Sequence, residues 1–183
     1  ALSFFLPSIV AGFKQTFDTD FSLVTTGLIV AVPFAVGAVA MVLWSRHSDR
    51  TGERTWHVAI PTLIGAISIP FALYMDSPFT TMIAVTVNAV GVFCALPVFW
   101  YLPSTFLTGA GAAAGIAIIN SVGNTSGFGA PYVTGWLLDA TGNAKAGLWV
   151  VGGVMLMAVV LVIALRSRMG VRSESNTDVP VAH

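Results

Sequence analysis

Apolar residues run through this chain without alternation, and the charged positions that interrupt them fall into islands. Phe21 to Ser45 carries no charge over 25 residues, Thr55 to Met75 none over 21, Ser77 to Leu138 none over 62, and Ala146 to Leu165 none over 20. A helix needs about 20 apolar residues to cross the hydrocarbon core of a bilayer. The pattern therefore predicts membrane spans near 23–44, 57–75 and 146–165. Two more, near 79–101 and 107–137, are expected within the long run, separated at Leu102-Pro103-Ser104. The unbroken Leu, Val, Ile and Ala lack the period of two that a β-barrel strand requires, so the fold class is an all-α membrane protein. The leading segment, ALSFFLPSIVAGF, holds 13 residues before Lys14, roughly 20 Å of helix and too short to span. It has no initiating Met and no basic region of a signal peptide, and it reads as the end of a truncated span, with the chain a fragment. Residues 14–22 read as an external loop. Residues 167–183, too polar to bury anything, read as a disordered cytoplasmic tail.

Composition removes whole classes of function. Hydrophobic residues make up 56% and charged ones 9%, against about 25% charged in a soluble domain. Eight basic and eight acidic side chains give no cationic face for nucleic acid. A single cysteine, Cys94, excludes an internal disulfide, and no Cys/His group has metal-ligand spacing. With no phosphate-binding glycine loop, and no nucleophile–base pair or buried acid, neither an enzyme nor a bound cofactor or metal is expected. The arginines orient the chain: Arg46, Arg50 and Arg54 lie between the first and second predicted spans, and Arg166, Arg168 and Arg172 after the last. Four spans separate the two groups, which places both on one side, and positive charge marks that side as cytoplasmic.

The stretch WSRHSDRTGERTWH places Ser45, Asp49, Arg50, Gly52 and Arg54 on the spacing G-x-x-x-D-R-x-G-x-R. Gly52 permits a tight turn with positive φ, Asp49 can accept from the N–H groups of a neighbouring helix N-terminus, and the arginines complete a charge network. Together Asp49, Arg50, Gly52 and Arg54 would make a latch, closed in one conformation and open in another. This spacing resembles the loop signature of the major facilitator superfamily. With FWYLPSTFLTGAGAAAGIAIINSVGN and GAPYVTGWLLDATGNAKAGLWV, the chain is similar to the C-terminal half of the anion:cation symporter family, nearest its tartrate and phthalate transporters. Ser45 departs from the first Gly of the signature. The resemblance implies a twelve-helix transporter of which residues 1–13 end helix seven and residues 23–166 form helices eight to twelve, the N-terminal six-helix half being absent.

Candidate site residues lie within the spans. Asn120 and Asn124 sit one turn apart, and amides in hydrocarbon need a polar partner, a wet cavity or a substrate. The resemblance implies that Asn120 lines a central cavity and that Trp100 packs on substrate, with Phe99 beside it. Asn88, about three turns from Phe99, is either a lining residue or a helix–helix contact. Gly111, Gly115, Gly123, Gly127 and Gly135 recur at multiples of four, an expected helix-packing stripe. His47 and His57 read as solvated loop residues. No charge lies within a predicted span, so the groups that bind a proton and an anionic substrate are expected in the absent half. The resemblance implies proton-coupled uptake of a small organic anion, tartrate- or phthalate-like, across a bacterial inner membrane by alternating access. The alternative from the residues alone is a small self-contained membrane protein that dimerises through the glycine-rich helix.

Overall fold

The computed structural model describes residues 6, 9, 10, 12–14, 18, 21–142 and 145–174, the side chains of 105, 106, 110 and 167–174 excepted. Five long helices follow one another: α1 (Leu23–Thr51), α2 (Thr55–Phe71), α3 (Pro78–Phe106), α4 (Gly109–Thr141) and α5 (Lys145–Glu174). A single 3₁₀ turn, Ala72–Tyr74, extends α2. Their ends are set by side chains that satisfy the free backbone groups of a helix terminus. Ser22 accepts from Thr25 N–H at 3.1 Å to start α1, and Ser77 accepts from Thr80 N–H at 3.3 Å to start α3, with Pro78 in its first turn. Gly52 (φ 69°) and Gly142 (φ 64°) close α1 and α4 in the left-handed conformation, which costs a glycine nothing.

Two boundaries differ from the sequence reading. The expected break at 102–104 lies inside α3, which continues through Pro103 to Phe106, and Leu107 N–H donates to Pro103 O at 3.0 Å. Proline in the last turn removes a donor without ending the helix, and helices in a membrane tolerate it. The chain turns instead at Thr108 and Gly109, the latter at φ 57°. At the other end α5 runs to Glu174, past residue 166, so the disordered tail expected from 167 does not begin there. Residues 175–183 lie outside the described residues.

Among the described residues, four helices are long and apolar enough to cross a membrane: Leu23–Thr51, Thr55–Tyr74, Pro78–Ser104 and Lys145–Arg166. The fifth expected span forms as α4, but Asn120, Ser121, Asn124, Thr125 and Ser126 make it too polar to join them. Packing runs in the order α1, α3, α2, α5, α4. Leu6 of the leading segment is fully buried against Val85 and Ala72, with Phe34 and Met82 around them. Nearer the arginine-bearing end, Val58, Ala95 and Val98 pack with Trp44, Phe99, Leu102 and Val162. Outward faces are apolar, among them Leu28, Val39, Ile64, Phe79 and Val160. Lipid tails accept such surfaces and water does not.

The close approaches come from glycines outside the expected stripe. A Cβ on Gly91 would collide with Pro61 O and Gly65, one on Gly152 would reach Ala66 O at 3.0 Å, and one on Gly37 would strike the Phe93 ring. Within this chain the stripe packs on little: a Cβ on Gly111, Gly123, Gly127 or Gly135 meets nothing within 4 Å, and one on Gly115 meets only the Leu107 side chain.

Candidate functional site

The turn between α1 and α2 gathers the most polar chemistry in the described residues. Gly52 turns the backbone, and its N–H donates to Ser48 O at 3.0 Å. Ser48, fully buried, donates its hydroxyl to Glu53 O at 2.9 Å and accepts from Arg54 Nη1 at 3.0 Å. The same Arg54 nitrogen donates to Asp49 Oδ1 at 2.7 Å, and its guanidinium lies 4.2 Å over the Tyr101 ring of α3. The loop is thus tied to α3 as well as to its own helices. Arg50 is exposed, with no partner among the described residues. Ser45, where the signature has glycine, has its hydroxyl buried without a hydrogen bond.

One role is reassigned. The sequence reading gave Asp49 to the N-terminus of the following helix, but Glu53 occupies it. Its carboxylate accepts from Trp56 N–H at 2.9 and 3.0 Å and from His57 N–H at 3.3 Å. Burial raises the Glu53 pKa, but the Trp56 and His57 amides and the His57 ring together outweigh it and hold the carboxyl below its ordinary value. Glu53 lies two residues before the first residue of α2, where its carboxylate can fold back over the first turn. Asp49 lies in the last turn of α1 and, among the described residues, reaches only Arg54.

The two histidines pair, with His47 exposed to solvent and only His57 buried. His57 is 7% exposed, its Nδ1 lies 3.1 Å from Glu53 Oε2, and its Nε2 lies 2.7 Å from His47 Nδ1. Trp44 stacks on His47 at 6.1 Å between centroids and donates its indole N–H to His57 O at 2.8 Å. On α5, Arg166 sits 5.6 Å from the Trp56 ring. The pairing had one readable signal: His47 lies four residues before the end of α1 and His57 is the third residue of α2, so a tight turn brings the two close.

The intramembrane candidates do not converge within this chain. Asn88 is buried and donates from Nδ2 to Gly65 O at 2.8 Å, with Met155 Sδ at 3.7 Å. Its amide makes a helix–helix contact that joins α3 to α2 and α5. Phe99 and Trp100 meet edge to face at 5.5 Å, Phe99 against the apolar cluster and Trp100 half-buried. Asn120 and Asn124 stand on α4, exposed and without partners among the described residues. The hydroxyls beside them turn back on their own helix: Thr125 donates to Ser121 O at 2.9 Å and Ser126 to Gly123 O at 2.5 Å. Among described residues no contact joins Asn88, the Phe99–Trp100 pair and the two α4 amides. No group of three metal-ligating side chains occurs among them either.

A groove of about 610 Å³ opens between α1 and α3, lined by Phe13, Ile29, Val32, Phe79, Met82 and Val87 among others. Its apolar walls offer no group that would orient a charged solute.

Comparison with known proteins places this architecture. Two Agrobacterium vitis proteins, each named "Putative tartrate transporter", are 48% and 45% identical over 144 residues, 79% of this chain and 32% and 33% of their own. A quinolone resistance transporter of Acinetobacter baumannii is 34% identical over 168 residues, 92% of this chain and 38% of that protein. The chain spans about a third of the length of these relatives. No solved structure matches at a significant level. The profile of the Major Facilitator Superfamily covers residues 1–182. The chain belongs to that superfamily of transporters, which are not enzymes, and is a multi-pass membrane protein.

Proposed function

We propose that this chain supplies the C-terminal half of a secondary transporter that brings a small organic anion, a tartrate- or phthalate-like dicarboxylate, into a bacterial cell together with protons. The observation that carries the reading is the pair of amides on α4. Asn120 and Asn124 stand one turn apart on a glycine-rich helix, without partners among the described residues, where an unsatisfied amide in hydrocarbon costs several kcal/mol. A solvated cavity holding a substrate removes that cost. Relatives named for tartrate transport support the substrate class, and amides suit the hydroxyl and carboxylate oxygens of such an acid. Trp100 and Phe99 add aromatic surface. The charges that bind the anion and the coupling proton belong to a further six helices, and the two halves rock about a midplane site. In this reading the arginine-bearing end and the C-terminus face the cytoplasm of an inner-membrane protein.

The test is uptake of labelled tartrate and phthalate by cells expressing the full-length protein. N120A and W100A are each expected to cut uptake at least tenfold with expression unchanged. Full uptake by both variants, or no proton dependence in the parent, would overturn the respective part of the reading. The open face of Gly123, Gly127 and Gly135 also suits a second copy of the chain. Dimers in detergent that G127L abolishes, with no longer partner required, would favour that alternative.

A further inference from the structure

At the α1–α2 junction, three titratable groups are hydrogen-bonded in series, and transport as proposed above uses none of them. The direction of each bond follows from the chemistry of its atoms. Glu53 Oε2 is a carboxylate oxygen that accepts, so His57 Nδ1, 3.1 Å away, carries the hydrogen. In a neutral His57 that leaves a lone pair on Nε2. His47 Nδ1, 2.7 Å from it, must then be the donor. The neutral chain is fully satisfied, with His47 Nε2 left over and His47 itself exposed to solvent.

One added proton fits without loss. It enters at His47 Nε2, the exposed ring passes its Nδ1 proton to His57 Nε2, and the resulting His57 imidazolium lies against the Glu53 carboxylate. His57 Nε2–H now donates back to the lone pair on His47 Nδ1. A second proton does not fit, because two N–H groups would then face each other across 2.7 Å. His57 is buried and paired with Glu53, so the exposed His47 is the ring that leaves.

We propose that Glu53, His57 and His47 form a proton-binding site at the arginine-bearing end of the bundle, which joins α1 to α2 with zero or one proton and releases His47 on binding a second. Departure of His47 also removes the ring on which Trp44 stacks, and Trp44 holds the same junction through His57 O. The charged surroundings set how hard the second proton is to add. Arg46 and Arg50 stand exposed on α1, and Arg54 is neutralised by Asp49 and covered by Tyr101 of α3. From α5, Arg166 lies over Trp56. The unneutralised arginines oppose a further positive charge. Imidazole is the side chain whose charge changes in the physiological range, so the junction responds to the acidity of the compartment it faces.

The experiment is a pH titration of the detergent-solubilised protein with ¹⁵N-labelled histidine rings and tryptophan indoles, the signals assigned by their loss in H47Q, H57Q and W44F. His47 and His57 are expected to take up their protons as one coupled pair, in two successive steps. H47Q, at an exposed position, should collapse the His57 curve to a single step, and the Trp44 indole resonance should move with the second step alone. A His57 curve unaltered by H47Q would overturn the site. A Trp44 resonance unmoved through the second step would overturn the release of the junction. Neither readout depends on transport.

Discussion

Glu53 shows how one carboxylate can serve two neighbours. It closes the N-terminus of α2 and fixes the tautomer of His57. Because its folded pKa lies below the ordinary carboxylate value of 4.5, its stabilisation is complete above that value and is lost as pH falls through the lower, folded pKa. E53Q should therefore be the less stable protein at pH 7, and the difference should vanish on acidification, as thermal unfolding in detergent at both pH values would reveal. Asp49 is different. Its carboxylate is 67% exposed, so breaking its pair with Arg54 by D49N should cost less than about 1 kcal/mol of stability. Under the transport reading the same change slows the conformational cycle, so uptake should fall several-fold while the melting temperature hardly moves. In the bilayer interior, Asn88 joins three helices through one amide. N88A should lower stability by about 1 kcal/mol, measurable as a shifted melting temperature with uptake still present.

At the scale of the helix, glycine has opposite consequences on neighbouring elements. Gly91 meets the backbone of α2 so closely that G91A must push two helices apart, at about 1–3 kcal/mol. Gly127 faces open space, and G127A should leave this chain equal or more stable by up to about 1 kcal/mol. Melting temperatures of the two variants side by side decide the point. The contrast also explains what could be read in advance. Charge-free runs located α1, α2 and α5, because the cost of charge in hydrocarbon is large and local, whereas the one run over α3 and α4 does not mark where the first ends. Gly52 and its turn were readable because a left-handed residue leaves few alternatives to glycine. The packing glycines were not: Gly65, Gly91 and Gly152 lie on three different helices, and only the fold shows which of them face each other. A regular spacing such as that from Gly111 to Gly135 makes a smooth face without saying what covers it. His57 was misread because burial of a residue in a polar loop depends on Trp44 and Glu53, whose side chains reach it only once the turn has formed.

Across the molecule, polarity is divided between one end and one helix. The α1–α2 junction is densely bonded, whereas α4 holds its amides away from every described partner. Liposomes containing only this chain are expected to accumulate no labelled dicarboxylate, since no charged side chain lies mid-span to bind one. The placement of α4 bears on how such a protein is made. It packs chiefly on α5, where Gly147 lies so close to Thr134 that a Cβ would not fit between them. Yet α4 leaves the ribosome first, and among the described long helices it is the one that falls short of a membrane span in apolar content. Until α5 follows, it has little to hold it in the bilayer. Chains halted near Gly142 should therefore leave α4 open to a water-soluble thiol reagent at an introduced cysteine, and chains extended through Leu165 should close it off. The most hydrophobic helix of the set would then act as an anchor for the least hydrophobic one, and the order of synthesis would make that rescue the last event of assembly.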